Sequence, residues 1–378
     1  MATVQSTSKM HELLELGQSV WLDYLSRGMI RGGELERLIT DGLRGMTSNP
    51  TIFEHAIANT ADYDAVLADP AHADMSDREL FERMAVEDVR AAADLFRPIY
   101  NASDGSDGFV SIEVNPSLAR DAERSLAEAR HLWREVDRPN VMVKIPGTHE
   151  GLSAIERAMC MGININITLL FSVERYQQVA DCYLNALEAR VDAGEPIRAL
   201  ASVASFFVSR VDTETDRRID TKHGSLRELR GRAAIANATL AYARFREIFS
   251  GARWEALERH GARVQRPLWA STSTKNPAYG DVRYIESLIA PNTVTTMPPE
   301  TLHLFQDHGV VMRTLSTRAT EANEVIRQLA RGGIDIEHVA QTLEDEGIRK
   351  FEESYAALLH VLATKRHALA PSGRSAGR

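Results

Sequence analysis

The chain has 378 residues, 44% of them hydrophobic, and a formal net charge of −9, so it carries enough apolar content to bury a large core. The acidic balance and the lack of any block of five basic residues argue against a nucleic-acid or anionic-membrane partner. No stretch is long and apolar enough to span a bilayer or to act as a leader, and Cys160 and Cys182, both in segments that read as helical, have no partner motif, as expected of reduced thiols in a cytoplasmic protein.

Short apolar runs alternate with helical patterns along the chain. After an N-terminal arm (1–16), strands are expected at 20–25 (VWLDYL) and 44–49 (RGMTSN). In "SDRELFERMAVEDVRAAADLF", Ser76 and Glu79 form a capping-box pair. Phe81, Ala85, Val89, Ala92 and Phe96 then recur at helical spacing as one apolar face. A third strand follows at 109–114 (FVSIEV), and "PSLARDAERSLAEARHLWREV" repeats the helical pattern through Leu118, Ala122, Ala129, Trp133 and Val136. Further strands are expected at 140–145 (NVMVKI), 165–171 (INITLLF), 201–208 (ASVASFFV), 267–272 (PLWAST) and 293–297 (TVTTM). The charged stretch 212–225 (DTETDRRIDTKHGS) reads as a solvated loop or helix start, and the final 366–378 as a disordered tail. Strands alternating with helices predict a parallel sheet, and eight strands close a barrel. The expected architecture is α/β, one (β/α)8 TIM barrel over 17–365 with additional helices.

Asn49-Pro50, Asn115-Pro116 and Asn276-Pro277 follow strands. Asn caps helices and Pro suits the first helical position, so each pair marks a strand-to-helix exit on the C-terminal face, where such barrels collect their catalytic residues.

One strand contains a lysine: "VMVKI" places Lys144 in an otherwise apolar run, and only six of the 44 basic residues are lysine. A buried ammonium is costly unless it is paired or loses its proton. The segment therefore holds either a structural ion pair or an amine able to attack a carbonyl. In the barrel reading, the polar residues that interrupt strand ends converge with it: Asp23, Asn49, Glu113, Asn166, Thr168, Ser205 and Ser271, with Arg210 and Lys275 just beyond. Two carboxylates supply acid and base for Schiff-base chemistry, amides and hydroxyls bind sugar hydroxyls, and the two cations receive a phosphate. No zinc-binding H-E-x-x-H, Gly-rich phosphate loop or G-x-S-x-G elbow is present.

"GMTSNPTIF" (45–53), "SIEVNPSLA" (111–119), "VMVKIPGT" (141–148), "INITLLFS" (165–172), "ASFFVSRVD" (204–212) and "LWASTSTKNPAY" (268–279) occur in an order that resembles the transaldolases, in their longer bacterial form, over about residues 17–365. The resemblance implies that Lys144 forms the Schiff base and Asp23 is the acid/base at the hydroxyl where the carbon–carbon bond breaks. Glu113 and Thr168 would hold a catalytic water, and Asn49 and Asn166 would bind substrate hydroxyls or the imine. Ser205 and Phe207 would lie near the bound dihydroxyacetone unit, Arg210 would bind phosphate, and Ser271 would belong to the phosphate and substrate pocket. Shorter transaldolases have an arginine two residues after that serine. Here the position is Ser273, and Lys275 is the nearest cation. No metal or other cofactor is called for, the partners are small-molecule sugar phosphates, and the sequence leaves oligomeric state open. A Schiff-base aldolase that releases its fragment to water, as a fructose 6-phosphate aldolase does, and a catalytically silent sugar-phosphate-binding barrel are the rival readings.

Overall fold

Val, Ile, Phe and Trp in short runs favour extended backbone. In the computed structural model, which describes residues 8–222, 226–315 and 319–369, such runs form eight strands. They are β1 (Gln18–Asp23), β2 (Gly45–Thr47), β3 (Phe109–Glu113), β4 (Val141–Pro146), β5 (Ile165–Leu170), β6 (Ser202–Phe207), β7 (Arg266–Ala270) and β8 (Thr293–Met297). All pairs are parallel and follow chain order, and β1 joins β8 to close the barrel. Every residue of β4, β5 and β6 is buried, as expected of strands lined by side chains inside and covered by helices outside. The buried apolar residues form one cluster running from Met10 to Leu362.

β1 starts two residues before the expected strand, at a polar residue. Gln18 is fully buried because its Nε2 donates to the Leu288 carbonyl (2.7 Å) and Thr293 Oγ1 (2.9 Å) across the seam with β8. β2 is shorter than expected, since Asn49 leaves the strand to cap the helix Pro50–Asn59, its Oδ1 accepting from Ile52 N at 3.1 Å. Gly45 pairs with Trp21, whose indole fills the space where a Cβ would lie at 2.6 Å.

The capping box of Ser76 and Glu79 is formed, and the helix runs Asp77–Ala102, through Pro98 and past the expected end. The single helix expected after β3 is split. Pro116–Leu118 is a 3₁₀ turn capped by Asn115, and Ala122–Val136 starts afresh with Asp121 accepting from Arg124 N. Asn276 departs from the expected pattern: its Oδ1 accepts from Ala278 N (3.0 Å) within a turn, and no helix begins there.

The reading of 212–225 as solvated is corrected. Ser209–Asp220 is a helix in which Asp212, Glu214 and Asp216 are buried, because backbone and tyrosine donors satisfy Asp212 and Asp216 while arginines pair with Glu214. Residues 223–225 lie outside the described residues. Within the expected N-terminal arm, Lys9–Glu15 is a helix with Met10 and Leu13 buried. At the other end the helix Ile336–Leu369 continues past 366, and Arg366 donates to the His72 and Ala73 carbonyls. Positions 370–378 of the expected tail lie outside the described residues. No helix among the described residues is long and apolar enough to cross a membrane.

Candidate active site

Strand register sets the floor of the site. Glu113 pairs with Lys144 and Lys144 with Asn166, so three adjacent strands carry a carboxylate, an amine and an amide at one level. Thr168 lies two residues further along β5, where the ladder to β6 is interrupted and Leu169 takes a left-handed φ of 60°. That bulge re-aims the strand end at the barrel mouth. β6 ends in Ser205 and Phe207 and feeds directly into the helix bearing Arg210. Val208 N and Ser209 N donate to the Ala270 and Ser271 carbonyls, and the Ser209 and Ser271 hydroxyls meet at 3.1 Å, which laces the end of β6 to the loop after β7.

A cavity of about 160 Å³ opens over this floor. Of the eleven candidate residues, nine line it: Asp23, Asn49, Lys144, Thr168, Ser205, Phe207, Arg210, Ser271 and Lys275. The other two stand behind it. Glu113 reaches the cavity through Lys144. Asn166 does so through Ser205, whose hydroxyl donates to Asn166 Oδ1 at 2.6 Å while Asn166 Nδ2 donates to Ser111 Oγ at 3.0 Å.

Lys144 is buried, with Nζ 3.3 Å from Glu113 Oε2 and 3.4 Å from the Ser48 carbonyl. The ion pair is therefore present, and its amine opens on the cavity that Asp23 also lines. Burial pushes the Glu113 carboxyl up to about 7; Lys144 pulls it down, and the negative charge of Asp23 adds to the rise. Burial within the barrel wall also raises Asp23, against the pull of Lys144, Arg210 and Lys275. Two carboxyls raised by burial beside one amine can hold and pass protons, Glu113 near neutral pH. Glu113 Oε1 and Thr168 Oγ1 are both buried without a hydrogen-bond partner among the described residues.

The opposite end of the cavity is cationic. The Arg210 guanidinium stacks over the Phe207 ring at 5.3 Å, and burial lowers its pKa against the opposing effect of Asp23 and Glu346. Lys275, at the rim, donates to Ser273 Oγ at 2.7 Å; loss of hydration against the cavity wall and the nearby Arg210 lower its pKa. Two cations at one end of a cavity, one of them close enough to disfavour the other's charge, form a receptor for a dianion.

Several residues of the site escaped sequence reasoning. Thr47, Thr296 and Pro298 line the cavity, and Phe351 enters it from the helix Ile336–Leu369, its ring 5.5 Å from Lys144 Nζ. The cue for Phe351 was a single aromatic in the charged run "EDEGIRKFEES". The buried acids of Ser209–Asp220 brace the phosphate end. Tyr279 donates to Asp216 Oδ2 (2.5 Å) and Tyr284 to Asp212 Oδ2 (2.8 Å), joining the helix that carries Arg210 to the loop that carries Lys275. Removing one such charge-assisted bond with Tyr279→Phe is expected to raise KM for a phosphorylated substrate about three- to tenfold, with kcat nearly unchanged. Steady-state kinetics of the variant check this, and an equal fall in kcat would disconnect the brace from the phosphate site.

Residues 20–362 match the family described as Transaldolase/Fructose-6-phosphate aldolase. A transaldolase of Saccharopolyspora erythraea is 50% identical over 359 residues, covering 94% of this chain and 97% of the relative. One from Acidothermus cellulolyticus is 48% identical over 354 residues (93% and 95%), and one from Trichodesmium erythraeum is 45% identical over 377 residues (97% and 99%). A closed eight-stranded barrel with an amine, two carboxyls and a cationic rim at its mouth, and relatives matched almost end to end, give one conclusion: the chain belongs to the transaldolase/fructose-6-phosphate aldolase family.

Proposed function

We propose that this enzyme is a transaldolase that moves a dihydroxyacetone unit between ketose and aldose phosphates through a Schiff base on Lys144. The observation that carries the reading is the buried Lys144 amine, 3.3 Å from Glu113 and sharing one cavity with Asp23 and the Arg210–Lys275 pair. A ketose phosphate fits with its phosphate on the cations and its carbonyl carbon at Lys144. The amine adds to that carbon and gives one proton to a carboxylate, and the carbonyl oxygen leaves as water after taking that proton by relay and a second from a carboxyl group. The protonated imine then accepts the electron pair of the C3–C4 bond, while Asp23 takes the proton of the C4 hydroxyl and an aldose phosphate departs. The remaining enamine attacks an acceptor aldehyde, and the sequence reverses.

Glu113 and Thr168, each with a buried oxygen free of other partners, suit a shared water that relays protons around the imine. Asn49 and Asn166 bind substrate hydroxyls or the imine, and Asn166 is held in one orientation by Ser111 and Ser205. Ser205 and Phe207 flank the three-carbon unit, while Ser271 with Arg210 and Lys275 receives the phosphate. The corresponding reaction interconverts sedoheptulose 7-phosphate and glyceraldehyde 3-phosphate with erythrose 4-phosphate and fructose 6-phosphate, in the non-oxidative pentose phosphate pathway. Cys160 and Cys182 are unpaired, which supports a cytoplasmic setting.

The test is borohydride reduction after incubation with fructose 6-phosphate, with mass analysis of the Lys144 peptide and a count of glyceraldehyde 3-phosphate released without acceptor. A three-carbon adduct on Lys144 with about one equivalent released per site is expected. Continued release would assign an aldolase, and no adduct on Lys144 would remove the Schiff-base reading. Arg210→Ala should raise KM for fructose 6-phosphate by about 10- to 100-fold, the loss of a charge-assisted anion contact, and should affect dihydroxyacetone binding far less.

A further inference from the structure

The helix Ile336–Leu369 brings an aromatic ring over the reacting amine, and its placement is fixed from both sides. Leu343, Gly347, Phe351, Tyr355, Leu358 and Leu362 fall three to four residues apart along one inward-facing stripe. At Gly347 the helix backbone lies against the β5 bulge, where a Cβ would sit 2.9 Å from Leu169 Cδ2. One turn later Phe351 lies over Lys144 at 5.5 Å. In the following turn Ser354 meets Thr51 Oγ1 at 2.9 Å, and Tyr355 packs edge-on against Phe81. Farther along, Lys365 pairs with Asp64 at 2.7 Å and donates to the Ile57 carbonyl at 2.9 Å. The helix is thus pinned next to Thr168 on one side and next to Asn49 on the other, with Phe351 between the two anchors.

Lys144 has polar neighbours on one side, Glu113 and the Ser48 carbonyl, and the Phe351 ring on another. An apolar ring there has two effects on a Lys144 adduct. It favours the protonated imine through its π face, and it denies water a position beside the imine carbon. Release of the three-carbon fragment requires such water. The enamine carbon must first take a proton; a water oxygen then adds to the imine carbon, the carbon–nitrogen bond breaks, and free amine and dihydroxyacetone result, one water being consumed overall. Transfer needs no water at that step, because the enamine carbon bonds to the acceptor aldehyde instead.

We propose that Phe351 is a specificity-determining residue that holds the Lys144-bound fragment for transfer by covering the imine against water. The proposal rests on the Schiff-base reading given above.

The experiment uses the full chain and the variants Phe351→Ala, Phe351→Gln and Phe351→Leu. Each is incubated with fructose 6-phosphate without acceptor. Glyceraldehyde 3-phosphate is counted per site, the Lys144 adduct is trapped with borohydride, and transfer to erythrose 4-phosphate is measured separately. Phe351→Ala and Phe351→Gln are expected to keep the adduct on Lys144 but to raise the ratio of acceptor-independent release to transfer by about tenfold or more. Phe351→Leu, an apolar cover without a π face, should stay within about threefold of wild type. Should the alanine variant fail to fold, the glutamine variant, close to phenylalanine in reach, reads the same ratio. An unchanged ratio in the variants that fold, or a leucine variant as leaky as the polar one, overturns the proposal. A wild type without an adduct on Lys144 overturns the Schiff-base reading and this proposal together, an outcome separable from the others because it appears without any variant.

Discussion

Replacing Lys144 with methionine is expected to lower transfer by about 10⁴-fold or more, since the covalent intermediate cannot form and its neighbours have no nucleophile to serve. The same change is expected to leave the fold nearly intact. Removing one member of a buried ion pair ordinarily strands a charge at a cost of several kcal/mol. Here Glu113 is already pushed up to about 7 by burial, and Lys144 is the group that draws it down. Without the amine, Glu113 rises further and stands neutral at pH 7, so no bare carboxylate remains in the wall. Thermal melts at pH 7 should therefore show a small change in Tm beside the loss of activity, with a larger deficit at pH 9, where the carboxyl is forced to ionise. Lys144→Arg should be equally inactive, because it keeps a charge near Glu113 but supplies no amine able to form an imine. Measurable transfer by either variant would move the covalent step to another group.

The second large effect is in the pH dependence of turnover. Glu113 serves as a base only when ionised, and with its carboxyl raised to about 7 it is mostly protonated at pH 6 and mostly ionised at pH 8. The sign follows: kcat should increase with pH through about 7 and level off above it. Glu113→Gln is expected to remove that limb and to cost about 10²- to 10⁴-fold in kcat, the usual contribution of a positioned base. Profiles of wild type and variant from pH 5.5 to 9 decide the matter. A limb near 7 that survives in Glu113→Gln would belong to another group, and Asp23, also raised by burial, would be the one to replace next.

The sequence displayed most of the barrel and most of the catalytic floor, for a shared physical reason. A strand buried on both faces is a run of apolar residues, so each polar residue in it stands out, and Lys144, Asn166, Thr168 and Ser205 are such interruptions within fully buried strands. The same logic hid Gln18. It lies outside the apolar run, and its burial is explained only by acceptors 270 and 275 residues away. Asp212 and Asp216 were read as solvated because charge in a helix start normally faces water. Their partners, Tyr284 and Tyr279, come from the distant connection between β7 and β8. Phe351 was equally hidden, since one aromatic in an amphipathic stripe looks like any other core contact until the helix is seen to cross the barrel mouth. Local pattern thus revealed residues whose chemistry conflicts with their own element, and missed those whose meaning depends on another element.

Closure of the ring has a consequence for how the molecule comes into being. The pairing that completes it, Gln18 to Thr293 through Leu22 to Met297, joins the first strand to the last. Contacts so far apart in sequence form slowly, because a long loop must be closed before they contribute. During synthesis β1 emerges early and waits for β8 with one row of backbone donors and acceptors unmatched, and β7 presents another such row. These are the geometries that recruit strands from neighbouring chains. The seam is therefore where folding competes most directly with aggregation. The buried Gln18 amide, fastened to Leu288 and Thr293, acts there as the clasp of the ring and gives the correct partner an advantage over a strand from another molecule.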